Sequence, residues 1–250
     1  MIAQSLDIPV KIIIEEQRLI SNGLEVFKST INVEEKTSLD LMFIMDLTGS
    51  MYYYINQAKN NVINIMNKIP IECPGIDINL GFIGYRDVDD IKNRDYIIID
   101  FTKNHLELQN SIKGVTASGG NGDWSEDMNW AFERALEQSW KNNAKFAILI
   151  GDTPCHGTKY HNLPDYYPDG VPGRRNIEEL IKELAEKNIS LFCMEITNKT
   201  EIMFEIFGNI YKNYPNCEYH IIPMNSAENL SNIVINSAIE VYTFHRNIEN

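Results

Sequence analysis

The stretch Leu41-Met42-Phe43-Ile44-Met45-Asp46-Leu47-Thr48-Gly49-Ser50-Met51 decides the fold. Its first five residues are continuously apolar. A short run of that kind is the pattern of a central parallel strand buried on both faces. A polar turn follows, and over residues 51–69 the apolar Ile55, Val62, Ile65, Met66 and Ile69 recur at helical spacing. A buried strand therefore ends in a turn that opens a helix. The turn offers one carboxylate and two hydroxyls, Asp46, Thr48 and Ser50, at alternate positions. These are hard oxygen ligands of the type Mg²⁺ and Mn²⁺ prefer. Taken alone, the same turn also reads as a helix N-cap with no metal.

Further along the chain, strand and helix patterns alternate. Residues 39–45 are the first strand of the series. Pro70 and Pro74-Gly75 are expected to break the helix that follows. Residues 77–85 and 96–101 read as a hairpin pair joined by a polar turn at 87–94. Residues 105–115 are a short helix candidate, 118–123 a glycine-rich loop, and 125–140 a helix that Ser125 is placed to cap. Residues 145–150 form a buried strand ending at Gly151-Asp152-Thr153-Pro154. A loop over 155–175 is longer than a connection needs, which points to function. Helix 176–187, strand 189–196, helix 199–214, strand 217–223 and helix 227–245 complete the order. This alternation predicts an α/β, doubly wound, mainly parallel sheet with one antiparallel edge strand and helices on both faces. Residues 1–36 read as an N-terminal extension before a domain over 37–250. Within it, 8–14 has strand character, and 17–31 reads as a helix with Leu19, Ile20, Leu24, Phe27 and Ile31 on one face.

Composition limits what the chain does. It has 250 residues, 44% of them hydrophobic, enough for a sizeable core. The net charge is −13, from 22 Lys and Arg against 35 Asp and Glu. Such a chain is a poor candidate for nucleic acid or an anionic membrane surface, and suits cations or basic partners. Cys73, Cys155, Cys193 and Cys217 are scattered without a Cys-x-x-Cys pair, which excludes a zinc ribbon and fits a reducing compartment. Asp7, Lys11, Glu15 and Glu16 interrupt any N-terminal apolar region, and no stretch approaches the roughly 18 apolar residues of a membrane span. These features predict a soluble, cytoplasmic protein.

In a doubly wound sheet, ligands bind where loops leave the carboxyl ends of the strands. Three such loops are rich in oxygen ligands: Asp46-Leu47-Thr48-Gly49-Ser50, Asp123-Trp124-Ser125-Glu126-Asp127 and Gly151-Asp152-Thr153. Neighbouring strands lie about 4.8 Å apart, so side chains from their ends can converge on one ion. The first of these loops resembles the metal-ion-dependent adhesion site of von Willebrand factor type A domains, whose first motif is Asp-x-Ser/Thr-x-Ser. The resemblance extends over about residues 39–245. It is strongest to the A-type domains attached to atypical, alpha-type protein kinases of amoebae and other protists. The segments that carry it are Asp46 to Met51, Gly84-Tyr85-Arg86-Asp87, Gly119-Gly120 with Asp123 and Glu126-Asp127, and Gly151-Asp152-Thr153-Pro154-Cys155-His156-Gly157 followed by Tyr160-His161. The Tyr-Pro-Asp-Gly stretch of the long loop also fits.

The resemblance implies a Mg²⁺ or Mn²⁺ site with Asp46, Thr48, Ser50 and Asp152 as ligands. It also implies a protein partner whose acidic side chain completes the metal shell. The family usually places a Thr in the second loop, but no Thr lies between Thr116 and Thr153. Asp123 or Glu126 serves there, or the position is empty, and a carboxylate would weaken the capture of an acidic partner.

Other chemistries fit less well. Cys155, His156 and His161 supply three zinc-type ligands without an obvious fourth. Cys155 with His156 or His161 has the residue types of a nucleophile–base pair, but close neighbours on one loop rarely meet that geometry. Ordering of the long loop by histidine hydrogen bonds is the expected role. Arg86-Asp87 reads as structural rather than as a surface ion pair. Of the tryptophans, Trp124 alone sits in a loop, and Trp130 and Trp140 read as packing. The chain has neither a kinase glycine loop followed by a lysine strand nor a P-loop. It reads as a non-catalytic binding module, either standing alone or as a fragment of a longer protein. Part of an alpha-type kinase system, or a metal-assisted hydrolase using Asp123, Glu126 or His156 as base, are the competing readings.

Overall fold

The computed structural model describes residues 11–21, 24–34, 38–72, 76–90, 96–120, 122–142 and 144–223. Lys11–Ser21 (β1) and Leu24–Glu34 (β2) pair antiparallel in their own two-stranded sheet. The helix expected over 17–31 is therefore replaced by two strands. The register pairs Ser21 with Leu24 across Asn22-Gly23, the dipeptide most favoured in two-residue hairpin connections. The β-branched content of both segments (Ile12, Ile13, Ile14, Val26, Thr30, Ile31, Val33) favours strand over helix. Spacing of Leu24, Phe27 and Ile31 satisfied a helical period by coincidence.

The main sheet contains Ser38–Asp46 (β3), Asp77–Tyr85 (β4), Ile97–Thr102 (β5), Ala144–Gly151 (β6), Ser190–Glu195 (β7) and Tyr219–Pro223 (β8), in the order β5-β4-β3-β6-β7-β8. Every pairing is parallel except that of edge strand β5 with β4. The expected α/β architecture is thus the observed one. The helix expected over 227–245 lies outside the described residues.

Helices cover both faces because β3, β4, β6 and β7 bury both sets of alternating side chains. Leu41, Phe43 and Met45 of β3 pack with Phe146, Ile148 and Ile150 of β6 beneath Ile55–Glu72 (α1) and His105–Gly114 (α2). Met42 and Ile44 of β3 join Ala147 and Leu149 of β6 on the opposite face. There they meet Met128–Glu137 (α3), Ile177–Glu186 (α4) and Glu201–Tyr211 (α5). Pro70 does not break α1, which continues to Glu72. A proline two residues from a helix end removes one backbone donor from a turn already close to fraying. Asp127, not Ser125, caps α3, accepting a hydrogen bond from the Trp130 N–H at 3.1 Å.

The strand order places the site. After β3 the chain crosses to β4 on one side, and β6 lies on the other, so the order reverses between β3 and β6. That reversal opens a crevice at the carboxyl ends of these two strands. Their register pairs Met45 with Ile150, which sets Asp46 beside Gly151-Asp152.

Candidate metal centre

Asp46 is the last residue of β3 and is fully buried. Its Oδ1 accepts hydrogen bonds from the Thr48 N–H at 2.8 Å and the Thr48 hydroxyl at 2.7 Å. The Thr48 and Ser50 hydroxyls lie 3.2 Å apart, and Ser50 donates to Asp152 Oδ1 at 2.7 Å. The structure therefore brings Asp46, Thr48, Ser50 and Asp152 into one chain of contacts. It also decides against the simple cap. Thr48 occupies the N-cap position of a 3-10 turn over Gly49–Tyr53, yet its side chain makes no capping hydrogen bond. Both hydroxyls turn to the carboxylates instead, and α1 begins only at Ile55.

The second loop contributes Glu126, not Asp123, to this group. Glu126 is 3% exposed and lies on the Gly120 side of Thr48. A β-bridge to Cys155 and a hydrogen bond from the Glu126 N–H to Pro154 O at 3.1 Å tie it to the strand-end loop of β6. Asp123 has other neighbours. Its carboxylate accepts from the Tyr166 N–H at 2.6 Å and the Ser125 N–H at 3.3 Å, and lies 3.9 Å from His156 Nδ1.

The approach of the second loop depends on Gly119 and Gly120, which adopt φ of +83° and +69°. A Cβ on Gly120 would stand 2.8 Å from Thr48 Cβ and 2.9 Å from Glu126 Oε1. The Gly120 N–H is held by the Asp90 carboxylate at 2.9 and 3.1 Å. Gly120→Ala is expected to cost about 1–3 kcal/mol through left-handed backbone strain and this clash. Urea unfolding would measure it.

Donors and acceptors do not balance here. The Thr48 and Ser50 hydroxyls carry one proton each, and Asp46 Oδ1 and Asp152 Oδ1 take both. Asp46 Oδ2 and Glu126 Oε2 are buried without a hydrogen-bond partner, as is the nearby Tyr85 hydroxyl. Burial, then the charge of Asp152, pushes the Asp46 carboxyl above its ordinary value despite the Thr48 hydrogen bonds and Arg86. Burial, then Asp46 and Asp87, does the same to Glu126, and burial raises Asp152 against its Ser50 hydrogen bond. Unpaired buried carboxylates of this kind are costly in the absence of a cation. The donor set, all oxygen, fits a hard divalent ion.

Arg86 holds the floor of the site in place. It is buried, and its Nη1 donates to the carbonyls of Leu47 and Ser118, while Nη2 reaches Thr116 O at 3.1 Å. The guanidinium thus joins the first loop to the second, the structural role expected of it.

The long loop closes over the site's flank through His156, whose side chain is 1% exposed. Its Nδ1 donates to Asp165 at 2.7 Å and its Nε2 to Asp87 at 2.9 Å. Asp165 also accepts from the N–H groups of Gly157 at 2.6 Å and Tyr167 at 2.8 Å. His161 Nδ1 accepts from the Leu163 N–H at 3.1 Å, which leaves its Nε2 to donate to Ser125 Oγ at 2.8 Å. The histidines order the loop by hydrogen bonds, as anticipated. Sequence reasoning did not find Asp165, because nothing local marks it among the loop's aspartates.

Asp87, Asp123 and His156 do place ligand-type atoms within 4.8 Å of one another. Both imidazole nitrogens are already committed to carboxylates, so the group is an ion-pair cluster around an imidazolium. The zinc set Cys155, His156 and His161 is not assembled. Cys155 is buried, with its N–H directed at Met203 Sδ, and burial holds its thiol far above its ordinary value. That protonation also removes the nucleophile–base pair. Trp124 is 47% exposed, and Lys199 Nζ sits 4.0 Å from its ring centroid.

A crevice at the reversal of a doubly wound sheet, with an acidic strand end and two hydroxyls facing an aspartate across it, defines the class of the domain. The chain belongs to the von Willebrand factor type A domain family, whose model matches residues 40–234. It is 31% identical over 196 residues to the alpha-protein kinase vwkA of Dictyostelium discoideum. The match covers 77% of this chain and 31% of that relative, so the chain spans under a third of the relative's length.

Solved structures agree on the fold at low identity. Proximal thread matrix protein 1 of the mussel byssus superimposes with a TM-score of 0.56 at 12% identity, over 82% of this chain and 46% of that one. The pilus adhesin SpaC of Lactobacillus rhamnosus GG gives 0.56 at 15%, over 91% and 33%. The SpRpn10 VWA domain gives 0.53 at 12%, over 78% and 95%. Domains of this family are in general interaction modules, and no kinase domain is seen among the described residues. Among the described residues, no helix is long and apolar enough to cross a membrane.

Proposed function

We propose that this chain is a divalent-metal-dependent protein-binding module. Mg²⁺ or Mn²⁺ would be held by Asp46, Thr48, Ser50 and Asp152, and the ion would supply an electrophilic point on the partner-facing surface. The observation that carries this reading is the buried, unpartnered Asp46 Oδ2 among carboxylates too numerous for the hydroxyls present. An acidic side chain from the partner would complete the shell, a ligand type that hard divalent ions take. Residues 1–36 are read as an extension outside the binding module.

The likeness to an alpha-protein kinase suggests that the module serves kinase signalling. Three free thiols among the described residues, Cys155, Cys193 and Cys217, support a cytoplasmic setting. No observation favours hydrolysis: His156, a candidate base, has both nitrogens engaged.

The test is affinity capture on immobilised chain in Mg²⁺ and in EDTA, with Ser50→Ala in parallel. Partners retained by wild type in Mg²⁺ alone, and not by Ser50→Ala, are the expected result. Retention that is equal in EDTA would contradict metal dependence.

A further inference from the structure

We propose that β1 pairs through its open edge with β1 of a second copy of this chain, antiparallel about a two-fold axis at Gln17, so that two hairpins form one four-stranded sheet. The inference stands independently of the metal reading.

The hairpin calls for further strands. Among the described residues, β1 and β2 hydrogen-bond only to each other. A lone two-stranded hairpin is at best marginally stable in water, and three or more strands are the usual minimum. The turn determines which backbone groups are free. Ser21 and Leu24 flank a two-residue connection, so they form a hydrogen-bonded pair, and such pairs alternate along an antiparallel ladder. Leu19, Gln17, Glu15 and Ile13 therefore hydrogen-bond to β2. The backbone N–H and C=O groups of Ile12, Ile14, Glu16, Arg18 and Ile20 are directed to the open edge, where they form a template for another strand.

The sequence then selects the register. A two-fold axis normal to a sheet keeps each face on its own side, so residues opposite each other across it are both even-numbered or both odd-numbered. An axis at Gln17 sets Glu16 opposite Arg18 of the second copy and Ile14 opposite Ile20, each twice by symmetry. Unlike charges and β-branched residues directly opposite each other stabilise a sheet. These four positions are also among those whose backbone groups are free. Moving the axis by one residue sets Glu16 against Glu16 or Arg18 against Arg18, and like charges oppose pairing. The edge of β2 offers no such match: an axis at Ser29 brings no charged pair together, and one at Lys28 sets that cation against itself. Two modules joined in this way would bind a partner with repeated sites more tightly than one.

Sedimentation equilibrium of the full chain tests the interface, and cysteine cross-linking tests its register. Wild type is expected to be a dimer. Arg18→Glu should weaken dimerisation about tenfold or more, because both unlike pairs become Glu–Glu pairs. The double variant Glu16→Arg/Arg18→Glu restores the unlike pairs and should restore the dimer, which a variant that merely disrupted the hairpin would not do. Under mild oxidation, Gln17→Cys should give a covalent dimer above any wild-type background. Residue 17 meets its own copy in a non-hydrogen-bonded pair, about 4.5 Å between Cα atoms, which a disulfide spans. Leu19→Cys, opposite Glu15, should not cross-link. A monomeric wild type would overturn the proposal. So would a double variant no more dimeric than Arg18→Glu, or cross-linking through Ser29→Cys in place of Gln17→Cys.

Discussion

His156→Ala should destabilise the protein by about 3–5 kcal/mol, the usual cost of removing one partner from a buried ion pair. His156 is the hub of a cluster that includes Asp87 and Asp165, with Asp123 3.9 Å away. These side chains are 3% exposed or less. Without the imidazolium, the carboxylates of Asp87 and Asp165 face one another with backbone N–H groups and, at 3.3 Å from Asp165, His161 Nε2 to offset them. The long loop would keep only the Tyr167 hydroxyl's hydrogen bond to Asp89, at 2.9 Å, as a side-chain tie to the loop after β4.

The effect has a pH signature. Burial alone would lower the His156 pKa, but hydrogen bonds to Asp87 and Asp165, and their charges, hold it above the ordinary value of 6.5. A group whose folded pKa is raised gives its full stabilisation below the unfolded value and loses it as pH rises through the folded one. Wild type should therefore lose part of its stability as pH climbs above about 6.5, and His156→Ala should lack that component. Urea unfolding of both proteins at pH 6 and pH 8 measures it. A difference under 1 kcal/mol at pH 6 would show that the cluster is not the loop's anchor.

Much of the fold was legible because the apolar pattern is unambiguous where the sheet is buried on both faces. The expected strand 77–85 coincides with β4, and 39–45 falls one residue short of β3 at each end. The helical reading of 17–31 rests on Leu24, Phe27 and Ile31, three and four residues apart, while the β-branched residues among them favour strand. Asn22-Gly23 was the signal that should have outweighed the spacing. At Ser125, the capping pattern was correct in kind but two residues early, since Asp127 is the residue whose side chain reaches the Trp130 N–H.

The side-chain contacts that join the first and third loops were legible, and those of the second loop only partly. Asp46, Thr48, Ser50 and Asp152 could be grouped because each sits at or just after the end of a strand whose neighbour was predictable. The surroundings of Asp123 and Glu126 were different. They turned on the backbone of Tyr166 capturing Asp123, and on the Cys155 bridge aligning Glu126. Both contacts come from the long loop, whose path no local pattern reveals. The partnership of His156 with Asp165 and Asp87 was hidden for the same reason, since it depends on where that loop folds back.

Asp46→Ala carries the largest functional effect. It removes the carboxylate at the centre of the group, the one that accepts from Thr48 twice and faces Asp152 and Glu126. Outer partners of metal ligands are worth about 10–100-fold in affinity, so loss of this inner carboxylate should cost at least 100-fold. The fold should survive, because the substitution removes a buried charge that burial and Asp152 already disfavour. Circular dichroism would confirm this before any titration.

The most direct measurement is therefore isothermal titration of Mg²⁺ and of Mn²⁺ into wild type and Asp46→Ala. One ion per chain in wild type, with no detectable binding in a folded Asp46→Ala, is the predicted result. Absence of binding in wild type, or equal binding by the variant, would contradict the account.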